Sequence, residues 1–280
     1  MRNLFVSVLV GALFVLPVSA ASVSVDGAKL HWSSAGKGQE TVILVHGWTC
    51  DDTSWMSQVP ALAKEYRVLT LDLPGHGKSG SPKNGKFSMD LFARAVEAVR
   101  NEAKADKVVL VGHSMGTPVI RQYARLYPQH VAVLVLVDGL VSIPASLPSQ
   151  GAPAPPDPNR MGGPGGLKAR EGMIRGMFTP KTPQPLQEHI LKMMMSAPEA
   201  TATGAMRATF DPANWTEDVM TMPVLGIYAE KSALSNPERS KRVFPAFEYT
   251  EIPGTGHFLM MEKPEEFHRL LMSSLNRVKY

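Results

Sequence analysis

A succession of short apolar runs, each closed by a turn and followed by a helical pattern, limits this chain more than any other feature. Thr41-Val-Ile-Leu-Val45 ends at His46-Gly47, and Tyr66 to Leu71 ends at Asp72-Leu-Pro-Gly75. Lys107 to Val111 ends at Gly112-His113, Val131 to Val137 at Asp138-Gly139, and Pro223 to Tyr228 in a polar stretch. Runs apolar on both faces are those of strands buried inside a parallel sheet, with helices covering each side. Between them Phe92, Val96, Val99 and Ala103 recur at helical spacing behind a Ser88 N-cap, and Trp55, Val59, Leu62 and Tyr66 do much the same. The expected class is α/β, with a doubly wound, mostly parallel sheet. The 280 residues, 44% hydrophobic and 19% charged, suffice for the core such a sheet needs and exclude a disordered chain or a coiled coil.

One region breaks the rhythm. From Pro144 to Pro185, 17 of 42 residues are glycine or proline, more than a single helix or strand can carry. Past Gly166 two helical patterns emerge, Leu167, Ile174 and Met177, then Leu186, Ile190, Met193 and Met194. They predict a helical lid over approximately 141–215, inserted after the strand Val131–Val137. Its methionines, Met161, Met173, Met177, Met193, Met194, Met195 and Met206, are flexible apolar surfaces, and at least one of the run 193–195 is expected to face a cleft.

The chain opens with Arg2, an apolar run from Leu4 to Leu16, Pro17 and the small residues Val18-Ser19-Ala20. That order predicts a secretory signal peptide over 1–20, cut after Ala20 or Ala21. The run is too short to span a bilayer comfortably, so no stable membrane anchor is expected after cleavage. A single domain over 21–280, secreted or periplasmic, follows. The formal net charge is +4, but the lysines and arginines are scattered, so no nucleic-acid partner is expected. The lone cysteine, Cys50, excludes an internal disulfide and a multi-cysteine zinc site, and it reads as an inert thiol. With no His-x-His, His-Glu-x-x-His or phosphate-cradling loop, neither a metal nor another cofactor is expected.

The chemistry gathers at three turns. Gly112-His113-Ser114-Met115-Gly116 follows an apolar run and opens a helical pattern from Thr117 to Tyr127. This is the strand–turn–helix setting of a nucleophile elbow, in which glycines are needed where side chains would strike neighbouring backbone. Ser114 is the expected nucleophile, and the Met115 amide at the helix start faces developing oxyanion charge. His46-Gly47-Trp48 places the Trp48 amide as the second oxyanion donor, with His46 shaping the turn. His257, in Gly254-Thr-Gly-His-Phe258, follows the strand-like run Phe247 to Ile252 and is the expected general base. His31, His130, His189 and His268 read as surface residues, His76 as part of a turn, and His113 as a poor base facing the strands.

Asp72-Leu-Pro-Gly-His-Gly-Lys-Ser79, Gly-His-Ser-Met-Gly at 112–116, Leu136-Val-Asp-Gly139 and Gly256-His-Phe258, in that order, resemble the α/β-hydrolase superfamily over roughly residues 23–280. The resemblance implies that fold, with the lid after the sixth strand of the family pattern. Serine rather than aspartate at 114 argues against the branches that form alkyl esters. In many members the triad acid follows the seventh strand in a Gly-x-x-Asp turn, where this chain reads Ala229-Glu-Lys-Ser232. Asp138 at the end of the preceding strand, as in some branches, is the expected acid, and Glu230 on the usual strand is the alternative. The expected partner is a small-molecule ester or a lactone. A cofactor-free perhydrolase, a carbon–carbon or amide hydrolase on the same site, and a non-catalytic ligand binder are the alternatives.

Overall fold

The computed structural model describes residues 23–141 and 157–277. The predicted signal peptide and its cut site, and residues 142–156 of the predicted insert, lie outside the described residues. Strands β4 (Thr41–Val45), β5 (Arg67–Leu71), β6 (Val108–His113), β7 (Val131–Val137), β8 (Val224–Ala229) and β9 (Phe247–Ile252) match the apolar runs to within two residues. They lie in one seven-stranded sheet in the order β3-β5-β4-β6-β7-β8-β9, and only the edge strand β3 (Trp32–Ala35) runs antiparallel to its neighbour. A short hairpin of β1 (Ser24–Val25) and β2 (Ala28–Lys29) precedes it. These first strands escape the sequence pattern because they are short and half-exposed, with no continuous apolar run.

Strand order turns back on itself between β4 and β6. Two parallel neighbours whose connections leave in opposite directions open a crevice at their carboxyl ends, where such sheets place their ligands. Register makes the crevice specific. Val45 pairs with Gly112 and His113 with Val137, so the turns after β4, β6 and β7 emerge side by side.

Helix α2 (Met89–Glu102) begins at Ser88, whose hydroxyl accepts the Leu91 amide, and buries Phe92, Val96 and Val99. It packs on α3 (Gly116–Leu126), which in turn lies on β4, β6 and β7. Fully buried side chains of this size stabilise the fold by about 1.5–3 kcal/mol each. The stretch from Trp55 to Tyr66 differs from expectation. It forms a 3-10 turn (Asp52–Trp55) and then the short helix α1 (Gln58–Leu62). Pro60 is the reason, because it offers no N–H to residue 56 and its ring clashes there with a continuous helix.

Three helices occupy the described part of the insert between β7 and β8, namely α4 (Gly166–Arg175), α5 (Gln184–Met195) and α6 (Glu199–Thr209). The first two coincide with the apolar periodicity, although Leu167 is 66% exposed rather than buried. Helix α6 has no sequence counterpart, since Glu-Ala-Thr-Ala-Thr-Gly-Ala-Met carries too few large apolar residues to show a period. Both stems of the insert are tied to α3. Arg121, almost wholly buried, donates to the Val141 carbonyl (2.6 Å) and to the Thr216 carbonyl, while Arg125 pairs with Asp218 (2.6 Å). Chain beyond the insert completes the layers with α7 (Pro237–Val243), α8 (Leu259–Glu262) and α9 (Pro264–Leu275), the last packed on α1 and β8. No helix among the described residues is long and apolar enough to cross a membrane.

Candidate active site

Ser114 sits one residue past β6 with φ = +54°, in the left-handed region that a residue with a Cβ rarely enters. Holding a non-glycine there costs about 1–3 kcal/mol, a strain typical of functional turns. Its amide donates to the Val137 carbonyl (2.9 Å), and its carbonyl accepts from the Thr117 amide (3.0 Å), so the turn passes directly into α3. The flanking glycines have the steric purpose expected of them. A Cβ at Gly112 would lie 2.4 Å from the Gly116 carbonyl oxygen, and one at Gly116 would lie 2.4 Å from that of Val45.

His257, on the loop after β9, reaches Ser114 from the far end of the chain. Its Nε2 is 2.8 Å from Ser114 Oγ, and its Nδ1 is 2.6 Å from Asp138 Oδ2. Asp138 is 2% exposed and has φ = +41°. Burial acts to raise its carboxyl, but hydrogen bonding from His257, the Ser232 hydroxyl and the Ala229 amide outweighs it and holds the group below the ordinary carboxylate range. With Asp138 ionised, Nδ1 of His257 carries the proton and donates it, leaving the Nε2 lone pair toward the serine hydroxyl. Glu230 is exposed and turned elsewhere; its Oε2 accepts the Gly254 amide (3.0 Å). Ser232, at the customary acid position, bears on the Asp138 carboxylate.

The turn after β4 lies against the serine, since a side chain at Gly47 would come 3.0 Å from Ser114 Cβ. Among the described residues the amides of Trp48 and Met115 donate no hydrogen bond to a protein acceptor. Free N–H groups on two turns that meet at Ser114 are donors available to an anionic oxygen. The Trp48 indole points away into the protein, donating to the Ala202 carbonyl of α6 (2.8 Å). Contact between body and insert continues at Thr201, which donates to the Gly75 carbonyl, and at Met193, whose sulfur accepts from the hydroxyls of Thr53 and Ser54 (3.5 Å each). Met161, Met193, Met194 and Met206 are buried, whereas Met173, Met177 and Met195 are half-buried.

The remaining histidines divide by environment. His46 braces its turn, donating from Nδ1 to the Gly47 carbonyl (2.8 Å) and accepting the Leu73 amide at Nε2 (3.0 Å). His31, His130, His189 and His268 are half-buried rather than fully exposed. His76 and His113 are completely buried. Burial first, and then the neighbouring His46 or His257, pushes both down to about 3. In the unfolded chain a histidine binds its proton near 6.5. The unfolded state therefore holds more protons between those values, and stability present above pH 6.5 is lost progressively as pH falls toward 3. Each ring contributes a slope approaching about 1.4 kcal/mol per pH unit. Urea unfolding at pH 7, 6 and 5 is expected to show a falling midpoint, and a flat midpoint would contradict this account.

Cys50 is buried, and burial pushes its thiol up to about 12, as suits an inert group. The described residues also bring His31, Asp52 and Asp72 together. Both Asp72 oxygens are already engaged by main-chain donors, the amides of Asp52 and Lys78 (2.8 Å each), so this carboxylate serves the turn. A depression of about 460 Å³ lined by Glu40, Arg67, Lys104 and Lys107 opens at the amino ends of β4–β6, the opposite edge of the sheet from Ser114.

Comparison with known proteins places this chain among relatives. Residues 40–264 match the family model described as alpha/beta hydrolase fold. The chain is 30% identical over 263 residues to the dihydrolipoyllysine-residue acetyltransferase component of an acetoin cleaving system from Pseudomonas putida, covering 90% of this chain and 68% of that one. It is 28% identical over 235 residues to a 2-hydroxy-6-oxononadienedioate/2-hydroxy-6-oxononatrienedioate hydrolase from Paraburkholderia phymatum, covering 82% of this chain and 69% of the relative. Among solved structures, a thermophilic esterase from Thermogutta terrifontis superposes with a TM-score of 0.80 at 28% identity, over 92% of this chain and 97% of its own.

Proposed function

The chain belongs to the alpha/beta hydrolase family, and from that premise we propose that it is a serine hydrolase of carboxylic esters, lactones included. One observation carries the reading: Ser114 Oγ, His257 and Asp138 form a continuous hydrogen-bonded relay on the strained turn after β6. In the proposed cycle His257 Nε2 takes the hydroxyl proton as Ser114 Oγ attacks the substrate carbonyl. The amides of Met115 and Trp48 hold the resulting oxyanion, each worth about 10²–10³ in turnover. Collapse breaks the bond to the alcohol oxygen, which leaves with the proton from His257, and the acyl group stays on Ser114. Water then attacks the acyl carbon, giving its proton to His257; the bond from that carbon to Ser114 Oγ breaks, His257 returns the proton to Oγ, and the acid leaves. Asp138 stays ionised throughout and stabilises the imidazolium. No step calls on a cofactor.

The decisive experiment is a panel of p-nitrophenyl esters of increasing acyl length, run on the wild type and on Ser114→Ala, alongside labelling by a fluorophosphonate. Serine-dependent turnover and labelling support the proposal. A wild type that is folded but neither labelled nor active indicates instead a binding protein on a hydrolase fold.

Similarity to the hydrolase from Paraburkholderia phymatum favours a second reading, carbon–carbon bond hydrolysis by the same three residues. Offering 2-hydroxy-6-oxononadienedioate beside the esters separates the two, because the preferred class is the one with the higher kcat/KM. Adding peroxide to the same panel tests for perhydrolysis. Export is part of the proposal and rests on the composition of residues 1–20. Sequencing secreted material is expected to begin near residue 21, and an intact Met1 would refute it.

A further inference from the structure

The relay leaves one buried imidazole beside it without a task. His113 ends β6, immediately before Ser114, and is completely buried. Its Nε2 lies 2.8 Å from the main-chain carbonyl oxygen of His257. A carbonyl only accepts, so Nε2 carries the proton and donates it, and Nδ1 is left as a bare lone pair. That Nδ1 is buried with no hydrogen-bond partner, aimed at the turn after β4, where a Cβ on Gly47 would come within 3.2 Å of it. The ring is enclosed by Trp55, edge-on at 6.4 Å, by Phe258 at 5.1 Å and by the His257 ring at 4.8 Å.

We propose that His113 is a positioning residue for His257, holding the main chain of the base in register with the nucleophile through its Nε2–H. This rests on the serine-hydrolase reading above. Because residues 113 and 114 are consecutive at one strand end, the His257 backbone is referenced to the same rigid element that carries the serine hydroxyl. The His257 amide is held separately, donating to the Met177 carbonyl (3.3 Å) in the segment after α4. Both backbone groups of the base are thus anchored, one to the sheet and one to the insert. Displacing a reacting group by about 1 Å costs on the order of 10²-fold in rate, so an anchor at this point governs turnover rather than substrate affinity.

Charge is consistent with the same role. The ionisable groups that bear on His113 are His257, Asp138 and His46, and its burial keeps it neutral at working pH. A neutral ring donates to the carbonyl without opposing the positive charge that forms on His257 during reaction.

Two variants separate the hydrogen bond from the packing. His113→Phe keeps a ring and removes the donor. His113→Gln puts an amide N–H where Nε2 stands. With folding checked by circular dichroism and melting, His113→Phe is expected to lower kcat for p-nitrophenyl acetate by about 10–100-fold, with KM changed by less than about threefold. His113→Gln is expected to recover most of that loss. The low-field proton resonance of His257 Nδ1–H is expected to persist in the glutamine variant and to broaden or move in the phenylalanine one. A folded His113→Phe protein with kcat within about threefold of wild type and an unchanged resonance overturns the proposal, as does equal impairment of both variants. If His113→Phe does not fold, His113→Asn, too short to reach the carbonyl, takes its place against glutamine. Should the wild type turn over no ester or carbon–carbon substrate, the hydrolase reading fails, and the resonance still decides the tie between His113 and His257.

Discussion

Ser114→Ala is expected to lower kcat by about 10⁴–10⁶-fold on any ester the wild type turns over, and to abolish fluorophosphonate labelling. The size follows from the relay. Without Oγ there is no atom 2.8 Å from His257 Nε2 to give up its proton and bond to the carbonyl carbon. Attack then falls to water, which is neither oriented nor held. The two free amides at residues 48 and 115 survive the substitution, so some rate over the uncatalysed reaction remains. Folding is expected to change little, because alanine at φ = +54° bears much the same strain as serine. Steady-state assays beside a thermal melt decide the matter. A folded alanine variant within tenfold of wild type would remove Ser114 from the chemistry.

Asp138→Asn is expected to lower kcat by about 10⁴-fold, the scale seen when a triad carboxylate becomes an amide. The carboxylate accepts the proton on His257 Nδ1 at 2.6 Å. If the asparagine turns its NH₂ toward that nitrogen, the imidazole shifts to the other tautomer, with its proton on Nε2 facing the serine, and can no longer act as a base. The positive ring formed during attack also loses its counter-charge. Glu230→Gln is the control. It keeps an oxygen for the Gly254 amide and is expected to stay within about threefold of wild type, because Glu230 supports the loop rather than the imidazole. Near-normal turnover by Asp138→Asn, or a collapse in Glu230→Gln, would reverse the assignment. Both comparisons are made at matched melting temperature.

Much of the architecture is legible before any coordinates. Val131 to Val137 reads as a buried strand because seven consecutive aliphatic residues leave no polar face. Ser88 announces α2, and two glycines flanking Ser114 announce a tight strand-to-helix turn. These are local signals, set by periodicity, capping and allowed backbone angles. Where a residue lacks such a signal the reading falters. Helix α6 is built of alanine, threonine and glycine with no clear apolar period, and β3 is a half-exposed edge. Pro60 breaks a stretch whose spacing looks continuous.

Residue types and their order along the chain were enough to single out Ser114 and His257 as partners, since a glycine-flanked serine after one strand and a glycine-flanked histidine after the last have few other uses. For the acid they favoured Asp138 and left Glu230 as the alternative. Either carboxylate stands at the tip of a neighbouring strand, and the choice rests on direction: φ = +41° at residue 138 turns one group inward, while the other bends to the Gly254 amide. Residue types and their order could not reveal the contact between His113 and the carbonyl of residue 257. That contact spans 144 positions of sequence, and it exists because the loop after β9 folds back past the ends of β8 and β7 to reach the end of β6.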